Sequence, residues 1–252
     1  MHYISVYKKT ITINLERPNN ESYIGWGLSM SAVIFDLFET LVTEWGRPKY
    51  TTCQIAEDLN VDYRTFLREW KKLHMDRYSG KLSGTTQVLK LILKNLSIDR
   101  DENLLIEVSR KRDDCKRKCF ETIEPRILGL LSTLKEKGYK IGLISNCSTE
   151  EIEWFWDSAL YNFFDVIILS CEVGIVKPDL EIYQNCLSLL DERPSKCFYI
   201  GDGGSDELNG ANRAGMIPLR ALWFINNIAL NSDVNFPTFV EPSEIVPYIS
   251  VY

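Results

Sequence analysis

Histidine is scarce in this chain: His2 and His74 are the only two in 252 residues. Zinc centres of the cysteine–histidine kind need imidazoles at set spacings beside their thiols. The seven cysteines (Cys53, Cys115, Cys119, Cys147, Cys171, Cys186 and Cys197) form no such pattern. Their odd number, with no secretory signal to be read, leads us to expect free thiols in a reducing cytoplasm. Long apolar runs are missing as well. None approaches the ~20 residues that a helical membrane span requires, so no membrane partner is expected. Positive charge is also in deficit, with a net charge of −6. A nucleic-acid binder needs basic surface to meet phosphates, so none is expected here. The basic run at 110–118 is interrupted by Asp113 and Asp114 and reads as a solvated helix face.

What the chain does have is a set of polar groups, each placed where an apolar run stops. Ala32-Val33-Ile34 leads into Phe35-Asp36-Leu37-Phe38-Glu39-Thr40. A short continuous apolar run suits a strand buried on both faces of a parallel sheet. A carboxylate at its end lies at the C-terminal sheet edge, where open α/β folds bind ligands. Ile127, Leu130, Leu131 and Leu134 recur at helical spacing, Gly138 ends that helix, and a strand from Tyr139 delivers Ser145-Asn146. Val166-Ile167-Ile168-Leu169 precedes Gly174-Ile175-Val176-Lys177-Pro178, with Pro178 placed to open a helix. Cys197-Phe198-Tyr199-Ile200 runs into Gly201-Asp202-Gly203-Gly204-Ser205-Asp206, whose glycines let backbone approach a ligand.

In this order, Asp36, Ser145, Lys177 and the pair Asp202 and Asp206 resemble the four motifs of the haloacid dehalogenase (HAD) superfamily, from about residue 31 onward. The resemblance implies a doubly wound parallel α/β sheet with an inserted all-helical cap, and a hydrolase mechanism with Asp36 as nucleophile. It implies that Ser145, Asn146 and Lys177 bind substrate. It also implies a Mg²⁺ held by Asp36, the Phe38 carbonyl and Asp202, with Asp206 reaching through a water. Physical chemistry agrees. A phosphomonoester dianion repels a carboxylate unless cations neutralise it, and magnesium prefers such oxygen ligands. Thr40 is expected to support the loop that carries Asp36.

More than a hundred residues separate Asp36 from Ser145, where a strand–helix–strand unit needs only about 30. The excess carries apolar residues at helical spacing (Ile55, Leu59, Phe66, Trp70, Leu73; Val88, Leu89, Ile92, Leu96; Leu104, Leu105, Val108). We therefore expect a helical cap at 45–122, a core of 31–44 and 123–252, and an N-terminal extension at 1–30, in which alternating Ile4, Val6, Ile11, Ile13 and Leu15 suit a hairpin. Neither His2 nor His74 is expected to act in catalysis, and Cys147 reads as packing.

One position departs from the family. Its phosphatases carry a second Asp two residues after the nucleophile, which protonates the leaving group. Here Phe38 stands there and has no proton to give. An aromatic residue at this place resembles the 2-haloacid dehalogenase branch, whereas the carboxylates after Gly201 resemble a magnesium site, which that branch does without. Three functions stay open: a Mg²⁺-dependent phosphatase of a small phosphorylated molecule, a dehalogenase-like hydrolase using an aspartyl ester, and a low-activity phosphate-binding or regulatory protein. Tyr78, Arg77 and Lys81 are the cap residues considered as substitute proton donors. Glu39, one position on, is expected to point elsewhere.

Overall fold

The structure, a computed structural model, describes residues 31–225 and 236–252. The expected N-terminal extension, with its hairpin and His2, lies outside the described residues. Strand β1 (Ala32–Phe35) is fully buried and pairs in parallel with β2 (Lys140–Ser145) on one side and β4 (Cys197–Gly201) on the other. β3 (Val166–Leu169), β5 (Ile217–Ala221) and β6 (Thr238–Phe239) complete a parallel sheet in the order β3-β2-β1-β4-β5-β6. The order reverses at β1, so the crevice at its C-terminal end is the switch point at which such sheets bind ligands.

Strand periodicity divides the apolar residues between two layers. Val33 and Phe35 pack on one face with Ile141, Leu143 and residues of helix α6 (Pro125–Glu136). Ala32 and Ile34 pack on the other with Ile182 and Cys186 of α8 (Leu180–Leu190). Gly138, at φ 82°, ends α6 as expected. Pro178 does not open a helix: the Lys177–Pro178 peptide is cis, and α8 starts two residues later with Asp179 as its cap. Its carboxylate accepts from the Glu181 amide at 3.0 Å, the usual work of an N-cap.

The excess between β1 and β2 is helical: α1 (Thr52–Asp58), α2 (Tyr63–Lys72), α3 (His74–Tyr78), α4 (Thr85–Asn95) and α5 (Glu102–Glu121). These helices own a separate hydrophobic cluster that includes Ile55, Phe66, Leu89, Ile92 and Val108. The last turn of α5 is rooted in the sheet domain, where Cys119 and Phe120 join its core. The basic run on α5 is only partly a solvated face. Lys111 is exposed and Arg117 half-buried, but Arg112 and Lys116, four residues apart, turn inward with side chains 11% and 12% exposed. Their carboxylate partners sit on the sheet domain, which the sequence spacing alone could not reveal.

The cap touches the sheet domain closely at Gly80. A Cβ placed there would stand 1.9 Å from the Cys171 carbonyl oxygen, and φ is +72°. Only glycine fits. The helical cluster is a packed core in its own right, so Leu89→Ala is expected to cost about 2–5 kcal/mol, read as a fall in the urea midpoint.

Candidate active site

Four loops at the C-terminal edge of the sheet meet over β1. Asp36 continues the ladder beyond β1, its amide donating to the Ile200 carbonyl at 2.9 Å, which fixes the carboxylate at the switch point. The chain then folds back on itself. Glu39 takes φ 58°, its amide donates to the Val42 carbonyl, and its carboxylate accepts from the Thr43 hydroxyl at 2.5 Å and the Glu44 amide at 3.0 Å. Glu39 thereby closes the loop, and, against the expectation that it points elsewhere, it also lines the cavity over Asp36. Thr40 contributes to loop support through its carbonyl, which accepts from Trp223 Nε1 at 2.8 Å. Its hydroxyl is buried and finds no partner among the described residues.

Lys177 lies at the centre. Its ammonium donates to Asp36 Oδ1 at 2.5 Å, to Glu207 Oε2, and to the Tyr199 hydroxyl at 3.1 Å. Tyr199 in turn donates to Glu207 at 2.8 Å. Burial alone would lower the lysine pKa, but Asp36 and Glu207 push it up, so the charge stays. Asp36 is pushed up too, which in a carboxyl disfavours the charge. Burial and the neighbouring Glu207 charge raise its carboxyl to about 7 against the opposing pull of Lys177. Asp202 is raised by burial and by Asp36.

Carboxylate oxygens of Asp36, Asp202 and Glu207 lie within 4.8 Å of one another. Asp202 is aimed by the Gly204 amide, which donates to it at 2.9 Å. Three acidic groups facing one ammonium suit a hard divalent cation, which would offset the repulsion that raises Asp36. The residues present therefore fit a Mg²⁺.

The structure corrects the sequence reading at Asp206. That residue is exposed at φ 54°, and its carboxylate turns away to accept from Asn209 at 2.6 Å and Arg213 at 3.4 Å. Its neighbour Glu207 takes the place in the cluster instead. The left-handed turn at Ser205 and Asp206 rotates the chain by one residue as α9 (Glu207–Arg213) begins. A signal was present in the sequence: Glu207 lies in the same loop, five positions after Asp202. Gly201 makes room for it, since a Cβ there would stand 2.1 Å from Glu207 Oε1.

Asn146 also differs from expectation. Its amide clamps the Lys177 main chain, donating to the carbonyl at 3.0 Å and accepting from the amide at 2.7 Å. Geometry makes it a positioning residue for Lys177. Ser145 Oγ, by contrast, is buried with no partner among the described residues and is free to donate. Cys147 is packing: it is buried 3.8 Å from Cys171 Sγ, and burial pushes its thiol far up.

Asp36, Lys177, Asp202 and Glu207 open into a cavity of about 270 Å³ also lined by Phe38, Glu44, Tyr78, Asn146, Lys116 and Glu151. Of the three cap residues considered as donors, Tyr78 reaches this cavity. Arg77 is buried, its guanidinium stacked over Trp70 at 4.3 Å, and Lys81 is exposed beside Asp76. His74 packs against Tyr78 with ring centroids 4.3 Å apart and does not line the cavity. Lys116, which sequence reasoning passed over, does line it.

Comparison with known proteins follows the same lines. The sequence profile of haloacid dehalogenase-like hydrolases matches residues 30–215. A glyceraldehyde 3-phosphate phosphatase of Methanothermobacter thermautotrophicus is 33% identical over 190 residues, covering 74% of this chain and 83% of that protein. A phosphoglycolate phosphatase of Aquifex aeolicus is 28% identical over 219 residues, covering 86% and 95%. Among solved structures, a 2-haloacid dehalogenase from Pseudomonas syringae superposes with a TM-score of 0.61 at 17% identity, covering 88% of this chain and 98% of that one. A HAD family enzyme of Bacteroides thetaiotaomicron, solved with magnesium and inorganic phosphate, gives 0.57 at 16% identity, covering 77% and 94%.

Exchanging the two adjacent acids tests the correction. Glu207→Gln is expected to weaken Mg²⁺ binding about tenfold or more, whereas Asp206→Asn should leave it unchanged within about twofold. Titration calorimetry reads both.

Proposed function

The chain belongs to the haloacid dehalogenase-like hydrolase family, and within it we propose a Mg²⁺-dependent phosphatase acting on a small phosphorylated molecule. The observation that carries this reading is the carboxylate cluster of Asp36, Asp202 and Glu207 around Lys177. Attack on a neutral carbon–halogen bond needs the Asp36 carboxylate but no divalent cation at Asp202 and Glu207. The cluster suits a dianionic phosphoryl group that must be neutralised before a carboxylate can approach. The named phosphatases among its sequence relatives support the same class.

In this reading Asp36 attacks phosphorus and forms an aspartyl-phosphate, which water then hydrolyses. Lys177 holds Asp36 in place and meets the phosphoryl oxygens, and Ser145 donates to one of them. Asp36, Asp202 and the Phe38 carbonyl would hold a magnesium ion, with Glu207 beside them in the place first given to Asp206. When bound, the ion supplies positive charge that offsets the phosphoryl oxygens. Residues 31–44 and 123–252 form the catalytic core in this assignment, and 45–122 the cap that covers the cavity and limits water.

Phe38 is the one feature on the dehalogenase side. Its ring packs edge-on against Phe120 with centroids 6.3 Å apart, at the rim of the cavity. An aspartyl-ester mechanism on a haloacid is the second reading it favours. The two separate cleanly. Asp202→Ala should abolish phosphatase activity by removing Mg²⁺, and chelator should do the same to the unmodified enzyme. Haloacid turnover that is indifferent to chelator would favour the second reading. Asp36→Asn should lower kcat by about a thousandfold or more on either substrate class, since a neutral amide does not attack.

A further inference from the structure

We propose that Lys116 of the cap serves as the leaving-group acid that Phe38 cannot be, a role that rests on the phosphatase reading above. Lys116 Nζ stands 5.7 Å from the centroid of the Phe38 ring, over the side chain that occupies the acid's position. It lines the same cavity as Asp36 and Lys177. An ammonium has three protons to donate. Here Glu151 Oε1 lies at 2.9 Å and Glu44 Oε1 accepts a second, which leaves one N–H without an acceptor among the described residues.

The surroundings hold this ammonium charged and in place. Burial alone would lower its pKa, but Glu151 and Glu44 outweigh that and raise it. Burial would likewise raise Glu151, yet Lys116 and Arg112 keep it at about 2. Glu151 is aimed by the Ser148 amide, which donates to its other oxygen at 3.1 Å. The lysine therefore comes from the cap, while Glu44 and Glu151 come from loops after β1 and β2. The acid is thus held at the seam between the cap and the sheet domain.

The step balances. Asp36 attacks phosphorus, the bond from phosphorus to the ester oxygen breaks, and its electron pair goes to that oxygen. A proton from Lys116 Nζ joins it, so an alcohol leaves and a neutral amine remains. Water then attacks the phosphorus of the aspartyl-phosphate, the amine takes a proton from that water, and Asp36 departs as a carboxylate with the ammonium restored. Alkoxides are far stronger bases than an amine, so the first transfer runs downhill. Acyl and nitrophenyl phosphates, whose leaving groups are already stable, do not need it.

Leaving-group dependence of kcat/KM is the test, because that ratio reports only the steps up to departure of the leaving group. Wild type, Lys116→Met, Lys116→Arg and Tyr78→Phe are compared on alkyl phosphates, 4-nitrophenyl phosphate and acetyl phosphate with Mg²⁺ present. Lys116→Arg keeps the charge and the ion pairs but does not release a proton, so it guards against misfolding of the Met variant. Both lysine variants are expected to lose about a hundredfold on alkyl phosphates and less than about threefold on the activated substrates. Adding Phe38→Asp to Lys116→Arg should return at least about tenfold on the alkyl esters, and Tyr78→Phe should lose no more on alkyl phosphates than on the activated substrates. An equal loss on all substrates in folded Lys116→Arg, no loss on alkyl phosphates, or the selective loss appearing in Tyr78→Phe instead, would overturn the role. A wild-type enzyme that hydrolyses none of these phosphates would remove the phosphatase reading itself, and this role with it.

Discussion

One buried ammonium organises the catalytic edge of this molecule. Lys177 is almost wholly removed from water, and it is tolerable there only because Asp36 and Glu207 face it and Tyr199 adds an oxygen. Taking charges out of water costs several kcal/mol per ion, and removing one member of such a set leaves the others uncompensated. Every loop of the site is recruited to hold this arrangement. Asn146 grips the Lys177 main chain from the end of β2, Gly201 clears space for Glu207 at the end of β4, and β1 delivers Asp36 between them. Three carboxylates against one ammonium leave the cluster negative, the electrostatics that favour a divalent cation.

A second ionic arrangement links the cap to the sheet domain. Arg112 and Lys116 leave the cap helix α5 and meet Glu151, with Glu150 close to Arg112 and Glu44 close to Lys116. Gly80 brings cap backbone against the Cys171 carbonyl as a second point of contact. These contacts hold the cap where its residues enter the cavity, so a change in cap position changes the chemistry offered to substrate and not only its access. The cavity at this edge is thus lined by groups from two separately packed cores.

Much of this was legible in the sequence, for identifiable reasons. Buried parallel strands are written as unbroken apolar runs, so β1 to β4 could be placed and the residues following them located at one edge. Asp36, Lys177 and Asp202 line one cavity there, and Ser145 is buried at the end of β2 without lining it. The fourth motif was misread by one residue because its phase depends on two consecutive left-handed residues, Ser205 and Asp206, neither of them glycine. Backbone conformation of that kind has no reliable sequence signal. Lys116 was hidden for a different reason. Its importance comes from carboxylates more than thirty residues away on another domain, and a basic run on a helix carries no mark of which lysine turns inward.

Attack of water at phosphorus, as against attack at an ester carbonyl of Asp36, divides the two readings of this edge. It can be read by following oxygen from the solvent through a single turnover in ¹⁸O-labelled water with enzyme in excess. Water that hydrolyses an aspartyl-phosphate at phosphorus leaves its oxygen in the released phosphate, and mass spectrometry of the peptide containing Asp36 should find that residue unlabelled. Label in the Asp36 carboxylate would mean that water attacks an ester carbonyl there, which is the dehalogenase course and contradicts phosphoryl transfer.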